Sequence, residues 1–220
     1  MADEAYSIKR ALNFLKADPL IVLPFIFGLI ITAVITLFAL GTVAEIEVYL
    51  NVAHQPAITA GAETFVFDWI IDAISDFFLI FAIFWQAFAS ADLVEKGKFS
   101  VGGSMSDAFA SKMQILMISI FVSFVALIFL YIPFVGGYIN ALFTIVAFMA
   151  IISLNYNRKG LIRNITHMPV ILNEYYEREP TTALFLALMM LVYIVPNEIL
   201  KELVLLVLII YGSLVLKLLN

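Results

Sequence analysis

The sequence predicts an all-α polytopic membrane protein, built as a bundle of six transmembrane helices with short cytoplasmic amphipathic helices. Hydrophobic residues make up 64% of the 220 residues and charged residues only 13%. An ordinary soluble domain is roughly 45 to 50% apolar and 25% charged. The apolar residues also fall into runs long enough to cross about 30 Å of hydrocarbon. We therefore expect a single integral membrane domain over residues 1–220.

Six apolar runs take up most of the chain. Pro133 and the pair Gly136 and Gly137 predict a tight turn between the third and fourth runs, and Pro196 with Asn197 separates the fifth from the sixth. The predicted spans lie near residues 19–41, 66–91, 113–132, 135–154, 182–197 and 199–219.

The basic residues are segregated along the chain. With six spans, eleven of the twelve Lys and Arg residues fall on one side of the membrane, Lys112 among them, and only Lys201 falls on the other. Cytoplasmic connections of membrane proteins carry an excess of Lys and Arg. We therefore expect a multi-pass cell-membrane protein with its N- and C-termini in the cytoplasm.

An amphipathic stretch precedes each odd-numbered span. In the first stretch Ile8, Leu12 and Leu15 recur at helical spacing, with Lys9 and Lys16 on the other side of the helix. Such helices lie in the headgroup layer with their basic residues towards anionic lipid; the alternative is that the stretches are ordinary connections. The three stretches are AYSIKRALNFLK, GGSMSDAFASKMQ and KGLIRNITHMPVILNEYYE.

The segment from Ala11 to Pro19 has the pattern A-L-x-x-x-K-x-x-P and leads directly into the first span. In this segment and in its layout, the chain resembles six-helix prokaryotic membrane proteins of uncharacterised function. The resemblance implies a bacterial or archaeal cell-membrane protein and implies no activity.

Acidic residues mark the start of the second span, where the chain reads DWIIDAISD. Asp68, Asp72 and Asp76 are each four positions apart, so they share one side of a helix. Gln86 and Ser90 fall within about 40° of Asp72 on the same helix. Unpartnered polar groups are costly against lipid, so this polar stripe is expected to face other helices or a hydrated cavity.

Several side chains of the neighbouring spans are candidates to face the stripe: Ser119 and Ser123 in the third span, and Asn140 and Thr144 in the fourth. Carboxylate oxygens suit hard cations, and no basic side chain lies nearby in sequence. The three aspartates are therefore a candidate metal or cation site, and the other polar residues are candidates for a polar pathway. The alternative is a helix that projects beyond the membrane, with water hydrating the acids.

The aspartate stripe also resembles the tail of the N-D-x-x-D-x-x-x-D motif with which membrane prenyltransferases hold magnesium on a lipid diphosphate. The resemblance covers nine residues, lacks a second aspartate-rich motif, and lacks the Lys or Arg that would bind diphosphate. With no cysteine in the chain, thiol chemistry is excluded. No nucleotide loop, zinc helix or nucleophile elbow is present either.

The sequence thus favours a small transporter-like or channel-like protein for a cation or small solute, with no enzymatic activity. The alternatives are a non-catalytic scaffold or accessory subunit of a membrane complex, and a metal-dependent lipid-modifying enzyme. No cofactor is expected apart from a cation at the aspartate stripe. The expected partners are the lipid bilayer and another membrane protein or a second copy of the chain, and no basic tract suggests nucleic acid.

Overall fold

A computed structural model of the protein describes residues 6–52, 57–130, 132, 135–157, 161–193 and 198–219. Within these residues the chain is helical and contains no strand. The helices are α1 (Tyr6–Ala17), a short 3-10 turn (Pro19–Val22), α2 (Leu23–Val52), α3 (Ala57–Lys96), α4 (Val101–Ala110), α5 (Lys112–Leu130), α6 (Gly136–Asn157), α7 (Leu161–Arg178), α8 (Pro180–Tyr193) and α9 (Glu198–Leu219). The all-α prediction is confirmed for this part of the chain.

Two segments are long and apolar enough to cross a membrane within the described residues, Pro19–Phe38 and Trp69–Lys96. A third would be formed by Val101–Ala110 and Lys112–Ala126 if that bent pair is one span. The apolar segments of α6, α8 and α9 that the structure describes, Gly136–Met149, Pro180–Val192 and Leu203–Leu219, are shorter than a usual crossing. Membrane-crossing helices are therefore supported, but only two or three of the six predicted spans.

The second amphipathic stretch differs from the prediction. It forms α4, which packs along α3 and is bent by 66° from α5 at Ser111. The indole Nε1 of Trp85 donates to Ser104 Oγ at 3.0 Å, and the rings of Phe81 and Phe109 lie 4.9 Å apart. The contacts of α4 thus lie well inside the apolar part of α3, and not in a connection beyond its end.

This placement brings Lys112, the first residue of α5, beside a groove on α3. The sequence grouped it with Lys96 in a cytoplasmic connection, yet Lys112 lines a groove with Trp69 and Phe77. Phe77 is 19 residues before Lys96, which is about 28 Å of helix. The residue before Lys112, Ser111, lines a cavity with Lys96 itself, so the cytoplasmic side predicted for Lys112 stays a prediction.

The core is built around α3, which contacts α2, α4, α5, α6 and α9. Small residues allow the closest approach, which occurs between α2 and α3. A methyl group added to Gly28 would lie only 2.0 Å from Ala82 Cβ. Inside a membrane the hydrophobic effect does not drive helices together, so their association depends on close van der Waals packing through small residues.

Glu179 joins the beginning of the chain to the break between α7 and α8. Its carboxylate accepts from the backbone N–H of Ser7 at 3.1 Å, from Ser7 Oγ at 2.7 Å and from Thr182 Oγ1 at 2.7 Å. A carboxylate at a helix N-terminus satisfies unpaired N–H groups and complements the helix dipole. One side chain therefore anchors the first turns of both α1 and α8, and α1 is held against α9, where Tyr211 donates to the carbonyl of Ile8.

Large apolar side chains cover much of the outer surface at helical spacing. In α8, Leu184, Leu188 and Leu191 are each more than half exposed. In α2 the exposed series is Phe27, Ile30, Val34, Leu37 and Phe38. Exposed apolar stripes of this length are unfavourable in water but suit contact with lipid tails.

Candidate functional site

Asp76 is the acid of the predicted stripe whose side chain the structure describes. It is partly buried, and Ser123 Oγ of α5 donates to its Oδ2 at 2.6 Å. Ser123 also approaches the carbonyl oxygen of Ser119 at 2.8 Å, so its hydroxyl is shared between the two acceptors. The stripe thus faces α5 at this level, where the sequence placed Ser119 and Ser123 as candidates.

The side chains of three other predicted site residues, Asp68, Asp72 and Asn140, lie outside the described residues. Thr144 in α6 is partly buried, and no hydrogen bond joins it to Asp76 within the part of the chain described. No group of three or more His, Cys, Asp or Glu that could hold a metal occurs among the described residues. The three-aspartate cation site therefore stays a prediction.

Deeper along α3, Gln86 and Ser90 are both 0% exposed and face α9. Ser90 Oγ and Ser213 Oγ lie 2.7 Å apart, and Ser213 Oγ donates to the carbonyl of Ile210 at 3.0 Å. Either serine can be the donor of the hydrogen bond between the two helices. The polar stripe at this depth is closed by a helix–helix hydrogen bond.

The hydrogen bonds of Gln86 are weaker and fewer than those of Ser90. Its Nε2 lies 3.5 Å from Ser90 Oγ, at the limit of a hydrogen bond, and its buried Oε1 has no partner among the described residues. A buried acceptor without a donor costs about 1 to 3 kcal/mol. Gln86 is therefore the least satisfied point in the contact between α3 and α9.

A second polar region lies at the C-terminal end of α3. Lys217 of α9 contacts Glu95 at 2.5 Å, and Lys96 contacts Asp92 at 2.6 Å. Together with Asp107 of α4 these residues line a surface cavity of about 440 Å³. Glu95, Lys96 and Lys217 are side chains of mixed charge at a helix end, and ion pairs of this exposed type contribute little to stability.

Sequence reasoning missed the contributions of Ser213 and Ser104. Each is fully or almost fully buried and completes a hydrogen bond to α3. The available signal was an isolated polar residue inside an apolar helix, since such residues face the bundle interior. Ser213 stands in YGSLVLKLL and meets that description.

The polar side chains of α3 thus have two environments. Near Asp76 a carboxylate accepts a hydrogen bond from Ser123 and is partly accessible, an arrangement that suits the binding of a cation or proton. Near Gln86 the polar groups are fully enclosed and pair across two helices. Comparison with protein-family models, with curated proteins and with solved structures finds no match for this chain.

Proposed function

We propose that this protein is a non-catalytic multi-pass membrane protein that acts by binding, as a scaffold or accessory subunit of a membrane complex. The observation that carries the proposal is the contact between α3 and α9, where Gln86 and Ser90 are fully buried and Ser90 pairs with Ser213. A solute pathway along α3 would require these groups to face water. Their enclosure favours helix packing as their role.

The outer surface supports the same proposal. The exposed apolar stripes of α2 and α8 provide long surfaces for lipid or for the helix of another membrane protein. We also propose that the chain crosses the membrane six times with both termini in the cytoplasm. The distribution of Lys and Arg between the apolar runs supports this orientation.

The absence of cysteine from the chain allows a direct test with single cysteine variants. Ser90→Cys and Ser213→Cys would be treated with a membrane-impermeant, water-soluble thiol reagent after reconstitution in liposomes opened to both sides. A packed scaffold predicts no labelling of either position without denaturant. Ser100→Cys, at an exposed position before α4, is the control that should label fully.

A second control shows how fast the reagent labels a cysteine that faces outward but contacts lipid and not water. Leu188→Cys faces outward from α8 and is 59% exposed, so in a bilayer it should contact lipid and label slowly. Rapid labelling of Ser90→Cys or Ser213→Cys in the folded protein would show water inside the bundle. That result would contradict the scaffold and favour a transport pathway.

The second candidate function is transport of a cation or small solute, favoured by the contact between Asp76 and Ser123. A partly buried carboxylate within a membrane-crossing segment is a functional candidate because it is costly to retain there. The test is thermal unfolding of the purified protein across a panel of monovalent and divalent cations. Transport predicts a cation-specific rise in the midpoint that Asp76→Asn abolishes and that the exposed control Asp107→Asn leaves intact.

A further inference from the structure

An open groove separates the first half of the Trp69–Lys96 segment of α3 from the first half of α5. Its volume is about 460 Å³, within the range of about 300 to 1,000 Å³ that ligand sites occupy. Apolar side chains form its walls, including Ile74 and Phe77 from α3 and Met113 and Leu116 from α5. Ile74, Met113 and Leu116 are between 41% and 64% exposed, so the groove opens on the outer surface of the bundle.

Lys112 is the charged residue in this apolar lining. It is exposed, and it makes no ion pair with any of the described residues. Ionisable residues within membrane-crossing segments are rare and usually paired or functional, and Lys112 lies inside the candidate span formed by the bent pair of α4 and α5. Lys112 therefore needs an anion that the described part of the chain does not supply.

Two further features of the groove favour an anion. Lys112 is the first residue of α5, so the positive end of the helix dipole adds to the ammonium charge. Trp69 lines the same groove, and its buried indole Nε1 has no acceptor among the described residues. A buried donor without an acceptor is unfavourable, and an anionic oxygen would satisfy it.

We infer that this groove binds an anionic phospholipid of the surrounding bilayer, with an acyl chain along the apolar walls and the headgroup phosphate on Lys112. The outward opening makes the bilayer the source of the ligand, and the Lys112 ammonium selects an anionic headgroup over a neutral one. This inference deepens the proposed binding function, on which it rests, by naming the class of molecule bound.

The test titrates phosphatidylglycerol or phosphatidylcholine with identical acyl chains into the full-length protein in a non-ionic detergent, while thermal unfolding is measured. Binding predicts a saturating rise in the midpoint with phosphatidylglycerol at lower concentration than with phosphatidylcholine. Lys112→Gln should raise the concentration of phosphatidylglycerol at half-saturation by about tenfold, since a charge-assisted hydrogen bond is lost. Lys112→Arg should restore it.

Lys98→Gln is the matched control, because Lys98 is exposed but lies in the connection after α3 and outside the groove. Leu116→Trp, which fills the groove at an exposed position, should weaken the response to both lipids without unfolding the protein. Equal responses to both lipids in the original protein would overturn the inference. So would equal effects of Lys112→Gln and Lys98→Gln.

Failure here is distinguishable from failure of the proposed function. If lipid selectivity is absent and the cysteines at positions 90 and 213 stay unlabelled, lipid binding in the groove is contradicted and the scaffold proposal is still supported. Lipid selectivity together with rapid labelling at those positions would overturn the scaffold proposal and support lipid binding in the groove.

Discussion

Two stretches of the same helix, α3, are packed in opposite ways. Between Ile80 and Ser90, small side chains, close contact with α2 and a hydrogen bond to α9 leave almost no exposed surface. Between Trp69 and Phe77, the helix borders a groove, and Ile70 and Ile74 are 46% and 44% exposed. In lipid, unlike in water, an exposed apolar side chain carries no penalty. The difference shows that α3 is closed where it holds the bundle together and open where its apolar side chains face outward.

The largest expected effect compares two isoleucines of α3. Ile83 is 0% exposed and Ile74 is 44% exposed. Ile83→Ala leaves a cavity in a packed site and should cost about 2 to 5 kcal/mol of unfolding free energy. Ile74→Ala should cost less than about 1 kcal/mol, because its side chain is already half unpacked. Unfolding in detergent measures both, and equal losses would remove the distinction between the two stretches.

A smaller effect is expected at the close contact between α2 and α3. Gly28→Ala places a methyl group 2.0 Å from Ala82 Cβ, and such overpacking should destabilise the protein by about 1 to 3 kcal/mol. The double variant Gly28→Ala with Ala82→Gly should recover part of the loss, because it returns one methyl group of space. Gly102→Ala in α4 is the control, since no atom lies within 4 Å of its added methyl group.

For Gly102→Ala we expect no loss, and a gain of up to about 1 kcal/mol from helix propensity. The close-packing interpretation fails if Gly28→Ala is no more destabilising than Gly102→Ala. It also fails if Ala82→Gly gives no recovery, because the clash would then lie elsewhere.

The smallest effect concerns the hydrogen bond between α3 and α9. A double-mutant cycle with Ser90→Ala and Ser213→Ala should give a coupling of about 0.6 kcal/mol, as side-chain hydrogen bonds between membrane helices do on average. The cycle is measured by unfolding of the two single variants and the double variant. Strictly additive effects would mean that the serines touch without stabilising each other.

Several features of the candidate site were predictable from spacing. The aspartates, Gln86 and Ser90 share one side of α3, and Ser123 was a candidate to face them because it stands in the next apolar run. What spacing could not predict was depth: Gln86 is sealed against α9 whereas Asp76 remains partly accessible. Depth depends on which helices approach α3, and that is decided by contacts between distant segments.

The route of the chain between α3 and α5 shows the same limit. The sequence predicted either a helix in the headgroup layer or an ordinary connection at this point. The chain instead packs α4 against α3 and bends by 66° before α5 begins. Contacts such as that of Trp85 with Ser104 fix this route, and neither residue signals it alone.

The sequence by itself determined the helical character of the described part of the chain and the presence of helices long and apolar enough to cross a membrane. In hydrocarbon every backbone N–H and C=O must be paired within its own segment, so a long apolar run can only be a helix. Only the tertiary structure decided how these helices are joined. The anchoring of Ser7 by Glu179, 172 residues later in the chain, and the contrast between the closed and open stretches of α3 depend on which surfaces meet. Two helix surfaces with the same hydropathy look alike in the sequence. Which of them pack together depends on how well their shapes fit.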